Sequence, residues 1–155
     1  AALRYNRRSN NTALGYRAGI AINYVNSNTS ATFGIENTAI GYRAFQANAT
    51  GRKNTAIGHR ALATYVDGGY VYAGTESGLI SRNTAIGDSA QAYSWGQGNT
   101  TVGNATLGVT VNGDFNTAMG DSAMANAKNI GANEAYGYNS LRNSEVVFTG
   151  SPAPP

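Results

Sequence analysis

The chain has 155 residues, a length that suits one domain, and its 11 Lys or Arg against 8 Asp or Glu leave a net charge of +3. Leu, Ile, Val and Phe together number 26, whereas Ala, Gly, Asn and Thr number 79. So few large apolar residues exclude a three-layer sandwich, and so little charge argues against plain electrostatic disorder. There is no Cys, hence no disulfide framework, and no apolar run long enough to span a membrane as a helix. Because the chain begins at Ala1, we expect a processed product or a piece of a longer protein.

A five-residue motif, Asn-Thr-Ala-aliphatic-Gly, recurs along the chain in close or loosened form. The copies begin at Asn11, Asn37, Asn54, Asn83, Asn99, Asn116 and Asn133. The steps between these starting residues are 26, 17, 29, 16, 17 and 17. The period is therefore about 17 residues, with insertions near 19–36 and 63–82.

The array divides the chain into three parts. Residues 1–10 are a lead-in, residues 11–142 form the repeat region with its two insertions, and residues 143–155 are a C-terminal strand and a Pro-rich end. The final Ser-Pro-Ala-Pro-Pro cannot continue a repeat of strands, because Pro cannot donate to a strand ladder.

A unit of this length is too short for a helix pair and suits one coil of a β-solenoid, with two short strands and two turns. Seven coils would stack to roughly 35 Å. Successive side chains of a strand alternate between faces, so Thr38 and Ile40 share one face while Asn37 and Ala39 share the other. We expect the larger aliphatic residues to form the interior. The predicted core column is Leu14, Ile40, Ile57, Ile86, Val102, Met119 and Tyr136.

The Asn at the start of each motif has two interpretations. Stacked Asn side chains form amide hydrogen-bond ladders in cross-β structures, and Asn is also simply a common turn residue. The ladder would contain Asn11, Asn37, Asn54, Asn83, Asn99 and Asn116.

The motif resembles the head repeats of trimeric autotransporter adhesins, the YadA-like head, whose coils follow roughly Asn-Ser-x-Ala-Ile-Gly. Here the matching strings are Asn-Thr-Ala-Ile-Gly at 37–41, 54–58 and 83–87. Similar strings followed by Tyr occur in bacterial and phage tail-fibre proteins. The resemblance covers about residues 10–142. It implies a left-handed parallel β-roll that assembles as an interwound homotrimer, with small residues where the chains meet, and it implies attachment to a host surface.

Charge is distributed unevenly along the repeats. Residues 1–82 carry nine basic and three acidic residues, a balance of +6, whereas residues 83–155 carry two and five, a balance of −3. The two positions after each motif Gly follow the same trend, from Tyr-Arg and His-Arg to Asp-Ser. The first coils therefore offer a candidate receptor-binding ladder for an anionic glycan, because Arg forms forked hydrogen bonds with anions. Its residues are Tyr16, Arg17, Tyr42, Arg43 and Arg60. Alternatively, these side chains pair with acids across a trimer interface or simply face solvent.

The second insertion is rich in Tyr and contains Gly68-Gly69, which predicts a small hairpin. Tyr65, Tyr70 and Tyr72 are further candidate receptor-binding residues, because Tyr combines a rigid apolar face with a polar tip. The alternative is that these rings cover the end of the roll or seal a contact between chains.

Catalysis is not expected. His59 is the single histidine; left-handed β-solenoid acyltransferases use a histidine, but their six-residue repeat does not match this period. No nucleophile–base constellation, metal-spaced cluster or phosphate loop is evident, so we predict no cofactor and no metal. The Thr column raises one other class, because a flat external Thr array can bind ice. Since strand alternation places Thr with the predicted interior aliphatics, that function would require the opposite register.

The sequence thus predicts a non-enzymatic, extracellular fibre or adhesin head on a cell surface or virion. Its expected partners are other copies of itself, as a homotrimer and also end to end as a filament, and a surface glycan or protein receptor. Nucleic acid and membrane insertion are not expected. The alternative is a purely structural shaft or filament-forming segment whose receptor-binding tip lies elsewhere.

Overall fold

In the computed structural model, short strands stack one above another. The structure describes residues 2–3, 10–19, 35–46, 51–63, 65–66, 69–70, 80–93, 96–108, 113–128 and 130–144. Within these residues there is no helix. The strands are β1 (Thr12–Leu14), β2 (Thr38–Ile40), β3 (Thr55–Ile57), β4 (Tyr65–Val66), β5 (Gly69–Tyr70), β6 (Thr84–Ile86), β7 (Thr100–Val102), β8 (Thr117–Met119) and β9 (Glu134–Tyr136).

Seven of the strands form one parallel sheet, which is not closed, in the order β1-β2-β3-β6-β7-β8-β9. The register pairs each motif position with the same position in the next coil: Thr38 lies beside Thr55, and Ile40 beside Ile57. The predicted all-β class and the parallel stacking of the repeats are therefore confirmed. The insertion between β3 and β6 does not disturb the register, because Thr55 still pairs with Thr84.

The coils also bond to one another outside the strands. In the first turn after β2, the Arg43 amide donates to the Tyr16 carbonyl of the preceding coil (2.9 Å), and the Phe45 amide donates to the Ala61 carbonyl of the following coil (2.8 Å). Farther round the coil, the Phe115 amide donates to the Gln97 carbonyl (2.9 Å). Backbone stacking on both sides of each coil is consistent with a β-solenoid.

The turns use left-handed backbone conformations at three recurring positions, the residue before the motif Asn and the second and fourth residues after the motif Gly. In the third coil these are Lys53, Arg60 and Leu62, with φ of 58°, 54° and 52°. Each such residue costs about 1–2 kcal/mol. The same three amides donate to carbonyls of neighbouring coils at 3.1, 2.9 and 2.9 Å, so inter-coil hydrogen bonding offsets the cost.

The predicted core column is wrong for this chain, because it lies on the outside of the coils. Leu14, Met119 and Tyr136 are 67%, 41% and 61% exposed, whereas Ala39 and Ala118 between the outward residues are fully buried. Ile86 is also exposed, and the other members of the column, Ile40, Ile57 and Val102, are half-buried. The alternation of faces was predicted correctly, but the inward face was assigned to the wrong set of residues.

Burial of the motif Asn decides which face points inward. Asn37 and Ala39 share a face, and because the Asn amide is buried at 1% exposure, the Ala is buried with it. Thr38 and Ile40 must then point away from the interior. The largest fully buried apolar side chains come instead from the turn, four residues after the motif Gly. They are Phe45, Leu62, Leu107 and Met124. The small Ala side chains of the strands, such as Ala39 and Ala56, leave room for them.

Candidate functional site

The motif Asn side chains form a continuous ladder through the interior. In a representative step, the Asn54 backbone amide and side-chain Nδ2 both donate to Asn37 Oδ1, at 3.1 and 3.0 Å. Asn54 Nδ2 also donates to the Ile80 carbonyl at 2.8 Å. Backbone amides make the corresponding bond at every step from Asn37 to Asn133. Of the two interpretations of the repeated Asn, the structure contains the ladder.

The ladder satisfies polar groups that the thin interior would otherwise bury without partners. Asn99 is fully buried, and its Oδ1 accepts from the Asn116 amide at 2.8 Å while its Nδ2 donates to the Gly113 carbonyl at 2.7 Å. A buried amide that is fully hydrogen-bonded stabilises one arrangement of its neighbours, since any shift leaves a polar group unpaired. The ladder therefore fixes the spacing and register of the coils.

The outward side of the seven-stranded sheet, here called the outer face, carries two columns. One is the aliphatic column that runs from Leu14 to Tyr136. The other is Thr in every strand but the last, where Glu134 replaces it. Thr12 and Thr100 are exposed and the remaining Thr residues are half-buried. Because the register is exact from strand to strand, like residues adjoin along the whole sheet.

Next to the outer face, the first three coils bring the predicted basic and aromatic residues together. The Tyr16 and Tyr42 rings are stacked with centroids 5.6 Å apart, and the His59 ring stacks on Tyr42 at 5.3 Å. The Arg17 guanidinium lies 5.4 Å from the Tyr16 ring centroid, and that of Arg43 lies 5.1 Å from the Tyr42 centroid. Together with Arg60 these residues are called the aromatic–arginine ladder.

Backbone hydrogen bonds hold this ladder in place. The Arg43 amide donates to the Tyr16 carbonyl and the Arg60 amide to the Tyr42 carbonyl, both at 2.9 Å. Arg17, Arg43 and Arg60 all have left-handed φ, between 54° and 57°. The side chains of equivalent residues therefore leave equivalent backbone positions, one coil apart.

In the fourth coil the ladder position carries an acidic residue, Asp88, in place of an aromatic or basic one. His59 Nδ1 and Asp88 Oδ1 are 3.1 Å apart, and Ser89 Oγ donates to the same Asp88 oxygen at 2.8 Å. The hydrogen bond with His59, followed by that from Ser89, holds the pKa of Asp88 below its usual value. Asp121 and Ser122 repeat the Asp–Ser pair two coils later, at 2.7 Å.

The second insertion contains the predicted hairpin. Tyr65 pairs with Tyr70 and Val66 with Gly69 in an antiparallel arrangement. Asp67 and Gly68 lie between these two strands in the sequence. Those two residues, Tyr72, residues 20–34 of the first insertion and the Pro-rich end lie outside the described residues, as do the side chains of Tyr65 and Tyr70.

Two residues with unusual environments were not predicted. Gln91 occupies the core position that holds Phe45, Leu62, Leu107 and Met124 in other coils; it is fully buried, and neither amide atom has a hydrogen-bond partner in the described structure. Phe115 is 58% exposed and lies over Gly98, where an added Cβ would be 2.6 Å from the ring. Both residues could have been noticed in the sequence. Gln91 interrupts a column of apolar residues, and Gly98 lies one period, 17 residues, before Phe115.

In the described parts of the chain, no group of three or more His, Cys, Asp or Glu side chains is arranged to hold a metal ion. Nor do these parts contain a helix long and apolar enough to cross a membrane. Comparison with protein-family models, curated proteins and solved structures gives no match to this chain.

Proposed function

We propose that the chain is a non-enzymatic segment of an extracellular attachment fibre, on a cell surface or virion, and that three copies pack through their outer faces as left-handed rolls. The exposed aliphatic column is the observation that carries the proposal. Burying a Leu, Ile or Met side chain contributes about 1.5–3 kcal/mol. A column that repeats in every coil and remains partly in water therefore favours a partner with a matching face.

Another copy of the chain is the partner that fits best. Each coil presents the same two outward positions at the same spacing, Thr (Glu in the last coil) and a large apolar residue, so copies related by rotation about an axis along the stack would meet coil by coil. Three copies related by rotations of a third of a turn form a closed ring in which every outer face is in contact with another copy. The resemblance of the Asn-Thr-Ala-Ile-Gly motif to YadA-like heads and tail-fibre repeats supports three copies and the left-handed roll.

The attachment role is supported by the aromatic–arginine ladder, which is partly exposed and adjoins the outer face. In the alternative form of the proposal the chain is a purely structural shaft or filament-forming segment, and the receptor-binding tip lies elsewhere. Binding by the ladder separates these two forms, since a shaft has no need of an unpaired basic strip.

Solution mass by light scattering, at low and high salt, tests the assembly. The expected value is three times the chain mass of 16.1 kDa. Ile57→Lys places a charge within the outer face, in the third of the seven strands, and should give monomers. Tyr93→Lys, at an exposed aromatic outside the strands, adds the same charge and should leave the mass unchanged. A wild-type mass of 16.1 kDa, or equal effects of the two variants, would refute assembly through this face.

Ice binding is the second candidate, and the outward position of the Thr column favours it. Ice binding requires the Thr face of each strand to point outward, and this orientation is the one observed. The outward residues are Thr12, Thr38, Thr55, Thr84, Thr100 and Thr117. Parallel strands repeat about every 4.8 Å. A rigid, flat array of hydroxyl and methyl groups at constant spacing can order water into a regular layer.

The mass measurement also separates the two candidates, because packing of three outer faces would cover the Thr column. If the chain is a monomer, thermal hysteresis of its solutions tests ice binding directly. Thr84→Lys, in the middle strand, should then abolish the hysteresis, while Lys128→Thr, outside the sheet, should leave it intact. A monomer with no hysteresis would refute both candidates for the outer face.

A further inference from the structure

The aromatic rings of the aromatic–arginine ladder stack on one another, so the faces that meet are not open to a ligand. Tyr16, Tyr42 and His59 lie nearly parallel, with interplanar angles of 16° and 13°, so the ring faces between coils cover one another. A neutral sugar binds aromatic residues through an open ring face, and Tyr42 has a neighbour on both sides. The ladder instead presents phenol hydroxyls, ring edges and guanidinium groups.

The guanidinium groups are held close to the rings. The Arg17 and Arg43 guanidinium groups each lie within about 6 Å of the centroid of the Tyr ring in their own coil, the distance within which a cation is attracted to an aromatic ring. The Arg43 Nε atom is buried and has no hydrogen-bond partner in the described structure. A side chain restrained in this way loses less conformational freedom when it binds, because part of its ordering has already occurred.

No Arg of the ladder forms an ion pair within the described part of the chain, although Arg60 lies near enough to Asp88 to interact with its charge. The ion pairs there are Lys53–Glu36 and His59–Asp88, and neither includes a ladder Arg. Asp88 is the nearest acid along the ladder, and it is already bonded to His59 and Ser89. Like charges on successive coils repel one another, and an anion that bridges them would remove this repulsion.

We infer that the aromatic–arginine ladder binds a linear polyanion, a sulfated or carboxylated polysaccharide that runs along the stack of coils and places its oxyanions between successive guanidinium groups. Arg17, Arg43 and Arg60 donate the hydrogen bonds, and the Tyr rings beside Arg17 and Arg43 restrain those two guanidinium groups. Asp88 and Asp121 repel the polyanion beyond the third coil. The footprint is therefore about 10 Å for each chain, the length of two inter-coil steps.

This inference deepens the proposed attachment role and rests on it. In the proposed trimer three ladders would act together, and linked sites bind more tightly than one site alone. The trimer itself does not depend on the ladder, so assembly and binding can fail separately.

A loss-of-function pair tests the assignment with dextran sulfate as the probe and unsulfated dextran of equal size as the control. Arg43→Gln should weaken binding of dextran sulfate by about tenfold or more, the equivalent of one charge-assisted hydrogen bond. Arg82→Gln removes the same charge from another left-handed position, φ 58° against 56°, and should change affinity by less than about twofold. Unsulfated dextran should not bind.

A gain-of-function pair avoids damage to the fold. Ser89→Arg extends the ladder by one coil, whereas Ser122→Arg adds the same charge at the matching position two coils farther on. The two Ser residues have φ of 53° and 57°, and each bonds the preceding Asp, at 2.8 and 2.7 Å. Ser89→Arg should raise affinity by about threefold or more, and Ser122→Arg by less than about twofold.

Equal effects within either pair would overturn the inference, because net charge alone would then explain binding. A change in solution mass on Arg43→Gln would also overturn it, since the Arg would then pair with acids across the trimer interface. Binding to phosphatidylserine vesicles but not to dextran sulfate would assign the ladder to a membrane surface instead. A trimer that binds no dextran sulfate would refute the ladder site and leave the proposed assembly standing.

Discussion

Substitution of motif glycines tests whether the coils are as closely stacked as the structure indicates. A Cβ added at Gly103 would lie 2.6 Å from the Gly120 carbonyl oxygen of the next coil, and the φ of Gly103 is +134°. Gly137 has a similar φ of +104°, but a Cβ there would meet nothing within 4 Å. Gly131 has neither feature, since its nearest neighbour would be at 3.5 Å and its φ is not positive.

The three Ala variants therefore separate backbone strain from inter-coil contact. Gly137→Ala should cost about 1–3 kcal/mol from strain alone. Gly103→Ala should cost about 2–4 kcal/mol more, because overpacking adds about 1–3 kcal/mol and displacement of the neighbouring carbonyl weakens a hydrogen bond worth about 1 kcal/mol. Gly131→Ala should stay within about 0.5 kcal/mol of wild type.

Urea unfolding followed by far-ultraviolet circular dichroism gives the free energy of unfolding, at a protein concentration that keeps one assembly state for all variants. Ala135→Gly, in the same coil as Gly137, shows whether that coil contributes to the measured transition. If it does, and Gly103→Ala is no less stable than Gly137→Ala, then carbonyl contact between coils does not limit the stacking and the reasoning fails.

Three further predictions concern single residues. Gln91→Leu should stabilise the chain by about 1–3 kcal/mol, because it removes two unpaired buried amide atoms; a loss of stability in urea unfolding would show that Gln91 has a polar partner. Asn99→Ala should destabilise it by about 2–4 kcal/mol, since it breaks hydrogen bonds of the Asn ladder and leaves a cavity, whereas Asn126→Ala, at an exposed amide pair, should change stability by less than about 0.5 kcal/mol. His59→Asn should raise the pKa of Asp88 towards its usual value, as measured by carbon-13 NMR titration, and an unchanged value would contradict the His59–Asp88 bond. Because the folded pKa of Asp88 is lowered, its ionisation stabilises the fold fully above about pH 4 and less as the pH falls through the folded pKa, and His59→Asn should reduce this acid sensitivity.

The repeat period predicted much of the fold because the architecture is nearly one-dimensional. Each coil contacts mainly its neighbours, so a motif that recurs every 17 residues specifies the same pairing again and again. The register continues across the steps of 26 and 29 residues, since Thr12 pairs with Thr38 and Thr55 with Thr84. The charge trend likewise predicted the ladder, because residues at one motif position must align along the stack.

The direction of the faces required tertiary information. Strand alternation separates Thr38 and Ile40 from Asn37 and Ala39, but hydrophobicity alone favours the Ile side as interior. The structure reverses that preference, because the buried Asn amides need bonds to the next coil and the turn residues Phe45 and Leu62 already fill the space opposite Ala. The exposed aliphatic column, and the interaction surface inferred from it, follow from this reversal.

The sequence by itself determined the repeat, the all-β class, the parallel stacking and the alignment of like residues, since all of these depend on period and on local backbone preference. Only the tertiary structure decided which residues are buried, how the Tyr rings stack on one another beside the guanidinium groups, and that His59 meets Asp88 29 residues away. These features depend on which side chains of the strand and of the turn pack against each other inside a thin coil. A one-dimensional pattern shows which residues lie together on a face, but not which face meets the other half of the coil.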